Sequence, residues 1–279
     1  MSKKILLILL FTVIISCNKK TIKIGQDLTF EQNISIDYGN EPEQKLDLYI
    51  PQQKDSIKTI FILIHGGGWK AGRKSDLNFF VTSLMKKFRQ SAIANIDYRL
   101  ATETRYGIPN QLEDIKKAIS YVHQKLPKNA KIILLGNSAG GHLSLLYGYQ
   151  AIQNENIKAI VNIVGPSDLS DKNFKKYTDY SFVENRLVDP KVVPKNISKL
   201  NFASPIHYIT EKNCPTISFY GNTDGIIPSS QKMILDSALN KKKVLNESYE
   251  FSGGHVDWKK DDNLPFILDK IDNFLKRIP

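Results

Sequence analysis

Lys131-Ile-Ile-Leu-Leu-Gly136-Asn137-Ser138-Ala139-Gly140-Gly141 decides the fold of this chain. Its apolar start suits a strand buried on both faces. The run passes without a spacer into Gly-x-Ser-x-Gly and then into an apolar stretch ending near Tyr149, which reads as a helix. A sharp strand-to-helix turn needs glycines, because side chains there would collide with neighbouring elements, and the strained turn lifts the serine oxygen above the sheet. The helix that opens at the turn aims its N-terminal amides at an incoming oxyanion. Ser138 is therefore the candidate nucleophile. Serine also favours helix N-caps, which is the alternative for this position.

Working outward, the same strand-then-helix rhythm recurs. Thr59–Ile64 is a second continuous apolar run, and Ala92–Asp97, Ile157–Val164 and Thr216–Tyr220 are similar. Lys45–Ile50 alternates apolar and polar residues, as a half-exposed strand does, and a last strand is expected near Glu247–Phe251. Between them Asp76–Phe88, Gln111–Leu126, Ser138–Tyr149, Ser229–Leu239 and Pro265–Leu275 carry apolar residues at helical spacing. Alternation of this kind predicts a mostly parallel sheet with helices on both faces. In such sheets ligands sit beyond the carboxyl ends of the strands.

Two further strand ends carry candidate chemistry. His65-Gly66-Gly67-Gly68-Trp69 follows the most apolar strand, and its glycines leave backbone N–H groups unscreened. Such donors stabilise a tetrahedral intermediate. A phosphate loop is disfavoured, since no Gly-Lys-Ser/Thr follows and no Gly-x-Gly-x-x-Gly is present there. Near the C-terminus, Gly221-Asn222-Thr223-Asp224-Gly225 follows one strand and Phe251-Ser252-Gly253-Gly254-His255 ends the next. The chain order Ser138, Asp224, His255 separates an α/β-hydrolase arrangement from other serine-hydrolase folds.

From about Asp37 to the C-terminus the sequence resembles the α/β-hydrolase esterases with a His-Gly-Gly-Gly oxyanion loop. It is most similar to small carboxylesterases and to acetyl or feruloyl esterases of plant polysaccharides. Asp97-Tyr98-Arg99-Leu100, Ala203-Ser204-Pro205-Ile206 and Asp224 leading to Ile227-Pro228 extend the likeness. Phe219-Tyr220 departs from it, where the family often has an aliphatic residue and His before the Gly. The resemblance implies a serine carboxylic-ester hydrolase acting on a small ester or an acylated polysaccharide, with no metal and no cofactor. Ser138 would attack, His255 would act as base and then acid, and Asp224 would orient the imidazole. Amides of Ala139 and of the Gly67–Gly68 region would hold the oxyanion. An amide hydrolase of small-peptidase or arylformamidase type is the alternative enzyme, and a non-catalytic surface protein of hydrolase fold is the alternative outside enzymology.

Competing residues are few. Asp168 follows Ile157–Val164, where some hydrolases place the acid. His65, His123, His142 and His207 read as structural, and Asp257 as a residue that caps its own loop. The stretch 168–202 lacks strand pattern and holds Phe174, Tyr177, Tyr180 and Phe182. It is expected either as a cap that shapes the pocket or as a surface excursion anchored by aromatics.

The N-terminus reads as an address. Lys3 and Lys4 precede an apolar run that ends in Ile14-Ile15-Ser16-Cys17, which resembles a bacterial lipobox. Residues 1–16 are expected as a lipoprotein signal peptide, Cys17 as the lipidated residue and 17–36 as a tether to a domain spanning 37–279. The protein would then be exported and held at a membrane. Loss of residues 1–16 removes two lysines and leaves 263 residues with a net charge of +9. Cys214 would remain as the one thiol, so no internal disulfide is expected. The basic balance, 39 Lys+Arg against 28 Asp+Glu, is dispersed. Its densest cluster, Lys241-Lys242-Lys243, suits a helix C-terminus. No basic stripe interleaved with aromatics is present, so nucleic acid is not an expected partner.

Overall fold

The computed structural model describes residues 20–151, 156–260 and 262–278. The expected leader and Cys17 lie outside the described residues. Among the described residues, nine strands form one sheet. In chain order they are β1 Lys20–Ile24, β2 Leu28–Asp37, β3 Lys45–Pro51, β4 Thr59–Ile64, β5 Ala92–Ile96, β6 Lys131–Asn137, β7 Ile157–Ile163, β8 Thr216–Gly221 and β9 Asn246–Phe251. Their spatial order is β1-β2-β3-β5-β4-β6-β7-β8-β9. The first three strands run antiparallel to their neighbours, and the pairs from β5 to β9 are parallel.

The helices are α1 Asn78–Lys87, α2 Asn110–Lys125, α3 Ala139–Gln150, α4 Tyr180–Arg186, α5 Lys199–Ala203, α6 Ser230–Lys241 and α7 Asn263–Arg277. Strand β4 explains how they are sorted. Its side chains alternate between the two faces of the sheet. Ile60, Ile62 and Ile64 join Ile115 and Ile119 of α2 and Leu143 and Leu146 of α3. Phe61 and Leu63 join Phe80 and Leu84 of α1 and Ile267, Ile271 and Phe274 of α7. Each of these fully buried side chains stabilises the fold by roughly 1.5–3 kcal/mol relative to exposure. Helix α3 is buried from Ala139 through Tyr149, as expected of a helix that is apolar all round.

One expectation is corrected. Residues 20–36, anticipated as a tether, are largely strand: β1 and β2 extend the sheet at its antiparallel edge. Phe30 is fully buried and packs with Tyr49 on the α1–α7 face. The pairing of β2 with β3 shifts register between Asn33 and Ile36, at a bulge where Ser35 has φ 53°. Ile36 consequently packs on the opposite face from Phe30. A bulge of this kind breaks the two-residue alternation by which a strand is read from sequence.

The close approach of α3 to β4 requires glycine. A Cβ on Gly140 would lie 2.0 Å from the Ile64 carbonyl oxygen. Through this contact the helix that follows Ser138 rests directly on the strand end from which the Gly loop departs. Cys214 is free, and burial pushes its thiol up to about 12, so it stays protonated and unreactive at neutral pH.

Candidate active site

Ser138 stands between β6 and α3 with φ 53° and ψ −121°. Positive φ is rare and strained for a residue with a side chain, and such strain is concentrated at functional positions. Ser138 makes no side-chain cap bond to its helix. Its Oγ instead lies 2.9 Å from His255 Nε2. His255 Nδ1–H donates to Asp224 Oδ2 at 2.8 Å. Because that carboxylate accepts at Nδ1, the tautomer leaves Nε2 bare and ready to accept the Ser138 proton.

The residues that hold this line are local to two adjacent strand ends. Asp224 Oδ1 accepts the Ile226 and Ile227 amides at 2.8 and 2.9 Å. With its second oxygen on His255, the carboxylate is fixed and its side chain is 1% exposed. The loops after β8 and β9 are tied together: Asn222 Oδ1 accepts the Gly253 amide and the Thr223 amide donates to Gly253 O, both at 3.0 Å. Asp257 accepts the Gly254 amide at 2.8 Å and pairs with Lys260. Both contacts lower its carboxyl below the usual range, the Gly254 amide more than Lys260. Asp257 thus braces the backbone that precedes His255 without touching the imidazole.

Asp168, the rival acid, serves elsewhere. Its Oδ1 accepts from the Ser170 amide and hydroxyl and, at 3.4 Å, from Ser204 Oγ. No bond joins it to His255.

The Gly loop is pinned from behind. His65 Nδ1–H donates to Gly66 O at 2.7 Å, its ring stacks on Tyr98 with centroids 4.3 Å apart, and Tyr98 Oη–H donates to His65 O. Burial lowers the His65 pKa and favours the neutral ring. The Gly66 amide is committed to Asn137 Oδ1 at 3.1 Å, which ties the loop to the residue before Ser138. Gly67 has φ 118°, and a Cβ there would lie 2.0 Å from Ala71 O, so only glycine fits this turn. The Gly67 and Gly68 amides have no acceptor among the described residues. Ala139 is the first residue of α3, so its N–H is one of those that a helix leaves without an internal partner.

Gly66, Gly67, Gly68, Ser138 and His255 all line one cavity of about 580 Å³. Its outer wall includes Tyr177, Asp179, Ile226 and Val256. Of the aromatics in the stretch 168–202, Phe174 and Tyr180 are buried anchors and Tyr177 reaches the cavity, stacked on Phe174. Asp179 pairs with Lys70 across the rim at 3.0 Å. Two aromatics of this stretch are thus packed into the core and one lines the cavity.

Sequence reading missed one connection. Trp69 Nε1–H donates to His142 Nδ1 at 3.1 Å, and His142 Nε2–H donates to Ala203 O at 2.7 Å. A buried imidazole thereby joins the Gly loop, the helix behind Ser138 and α5. The Trp next to the glycines and the His four residues after Ser138 were both visible in the sequence, but nothing there pairs them. Burial holds the His142 pKa down at about 4, against an ordinary 6.5. The unfolded chain therefore binds this proton at higher pH than the folded one. Stability from this group is complete above about pH 6.5, falls as pH drops toward 4, and changes no further below that. The loss over the window is on the order of 3 kcal/mol. His65 acts in the same direction. Urea midpoints at pH 7 and pH 4.5 should drop less in His142→Gln than in the parent chain, and equal drops would show that His142 does not carry the effect.

Serine before acid before histidine is the order in which the chain delivers this trio, and with the sheet described above it defines the α/β-hydrolase fold. Within that fold the chain belongs to the BD-FAE family, whose model matches residues 46–239. It is 29% identical over 212 residues to Esterase LipC of Mycobacterium tuberculosis, covering 70% of this chain and 51% of LipC. It is 26% identical over 268 residues to the isoprenylcysteine alpha-carbonyl methylesterase ICME of Arabidopsis thaliana, covering 82% and 58%. The chain thus spans a little over half the length of these curated relatives. Among solved structures, a truncated form of a carbohydrate esterase from gut microbiota superposes with a TM-score of 0.72 at 20% identity, covering 88% of this chain and 96% of that one. That likeness is one of fold.

Proposed function

We propose that this chain hydrolyses carboxylic esters through an acyl-enzyme on Ser138. Ser138 Oγ attacks the ester carbonyl carbon as His255 Nε2 takes its proton. The resulting oxyanion is held by the free amides of Gly67, Gly68 and Ala139. Collapse expels the alcohol, which leaves with the proton from His255. Water then repeats the attack and releases the acid. Asp224 keeps the imidazole oriented and stabilises its charged form. Each oxyanion donor is worth about 2.7–4 kcal/mol in the transition state. The observation that carries this reading is the continuous bonded line from Ser138 through His255 to Asp224 at the floor of an open cavity.

The substrates we propose are acetyl or aromatic acyl groups on carbohydrate. Support comes from the motif resemblance and from the fold likeness to a carbohydrate esterase. The test is acid release from acetylated xylan, feruloylated xylan and pectin, run beside formamide and aminopeptide substrates. Release of acetate or ferulate is expected, and faster cleavage of the amides would replace the ester reading. Lipid attachment at Cys17 and export belong to the same proposal, supported by the run that ends in Ile14-Ile15-Ser16-Cys17. Mass spectrometry of the mature N-terminus tests it, and an unmodified Cys17 would remove it.

A further inference from the structure

Lysines that are dispersed along the chain are gathered by the fold. The parallel strands all start at one end of the sheet, and the helices that return to them finish there. The connections at this base are 25–27, 52–58, 86–91, 125–131, 151–158, 209–215, 241–245 and 276–278. They hold fifteen Lys or Arg against four Asp or Glu, an excess as large as the +11 of the whole chain. At the opposite end, where Ser138 and His255 lie, the connections are 38–44, 65–77, 97–109, 164–206, 221–229 and 252–262. These hold fourteen of each sign. The positive excess is thus carried by the face that points away from Ser138.

Most of this charge is uncompensated. Lys54, Lys87, Arg89, Lys276 and Arg277 pair with carboxylates. The other ten have no ion pair among the described residues. Cations suit helix C-termini, which accounts for residues such as Lys125 and Lys241. It does not account for Lys58, Lys131, Lys158 and Lys212. These stand at or before strand starts and line one cavity of about 840 Å³ that has no carboxylate in its wall. Leu245, just after the lysine triplet, adds an apolar side chain that is 46% exposed. We infer that this base docks on an anionic lipid bilayer.

Charge calls for an anionic surface, and the reach of the chain favours a membrane. Lys20 opens β1 and is level with Phe61, through the pairs Lys20–Gln32, Gln32–Tyr49, Tyr49–Ile93 and Ile93–Phe61. Phe61 is the third of the six residues of β4, so β1 begins in the half of the sheet nearer the base. Cys17 is three residues from Lys20, a span of at most about 10 Å. The base is therefore within reach of a lipid on Cys17. The lipid tethers and the charge orients, so the cavity at Ser138 opens away from the bilayer.

The choice of a membrane rests on the proposed lipid attachment, and the experiment separates the two. Partition of the full chain is measured on vesicles of phosphatidylcholine alone and of an equal mixture with phosphatidylglycerol. A lipid or apolar attachment contributes to both, so the ratio reads charge. The parent should favour the anionic vesicles, and raised salt should abolish the preference. Lys58→Glu/Lys212→Glu and Lys241→Glu/Lys242→Glu alter exposed pairs at the base. Each should reduce the ratio about tenfold or more. Lys191→Glu/Lys195→Glu makes the same change of charge in the connection after β7, and should alter the ratio less than about twofold. Urea midpoints check that each variant folds. Equal losses from all three variants, or a parent without preference at low salt, would overturn the docking face. Tighter binding of the parent to soluble dextran sulfate than to the anionic vesicles would assign the face to a polymer and overturn it too. An unmodified Cys17 with the ratio intact would remove the lipid and leave the face standing.

Discussion

Ser138→Ala will lower kcat by a factor on the order of 10⁶ while the protein still folds and binds substrate. Removing the nucleophile from a comparable serine–histidine–aspartate unit has about that effect, because the three groups act together. The geometry makes the same demand here, since Oγ is the only bond partner of His255 Nε2 among the described residues. A helix-capping role would give a different outcome, a stability loss of about 1 kcal/mol with activity retained. Stability supplies a second readout. Ser138 is held at φ 53°, a conformation that costs a side-chain residue of order 1–3 kcal/mol and glycine little. Ser138→Gly should be as inactive as Ser138→Ala but should unfold at a higher urea concentration. An active Ser138→Ala, or failure of a fluorophosphonate probe to label the parent chain at Ser138, would end the acyl-enzyme proposal.

Asp224→Asn is expected to cost about 10⁴ in kcat, and Asp168→Asn only a few-fold. In the first case the replaced oxygen accepts from His255 Nδ1–H, while the second oxygen still accepts the Ile226 and Ile227 amides. An asparagine keeps its carbonyl oxygen on those amides and turns its NH₂ toward the imidazole. His255 must then present a bare Nδ1 and carry its proton on Nε2, which blocks proton transfer from Ser138. The wrong tautomer has an effect of about this size where the exchange leaves geometry intact. Asp168 contacts Ser170 and Ser204, so its loss loosens a loop and leaves the imidazole in place. Steady-state kinetics on 4-nitrophenyl acetate decide the matter, and a larger loss from Asp168→Asn would reverse the assignment of the acid.

The parts of this molecule that were legible in the sequence share a physical reason. Strands β4, β6, β7 and β8 are covered on both faces, so their runs are largely apolar, and the three glycines of the loop, Ser138 and Asp224 follow at the carboxyl ends of β4, β6 and β8. His255 instead follows β9, whose residues are mostly half-buried, and what marked it was the Gly253-Gly254 lead-in rather than an apolar run. What escaped was of two kinds. The first was β1 and β2, where the bulge at Ser35 moves the apolar positions of one strand onto opposite faces. The second was the pairing of distant residues: Trp69 with His142, 73 positions apart, and Asn137 with Gly66, 71 apart. Side-chain bonds across such spans follow from how α3 sits against β4, which local pattern does not encode.

Burial of α3 on every side carries a consequence for how the molecule fails. Segments packed throughout the core open only when the whole domain does, whereas short surface turns open at little cost. Ser138 is carried by the former and Tyr177 by the latter. Under mild stress the discriminating rim therefore softens before the reacting hydroxyl is disturbed. Warming should first make the protein less choosy and only later make it inert.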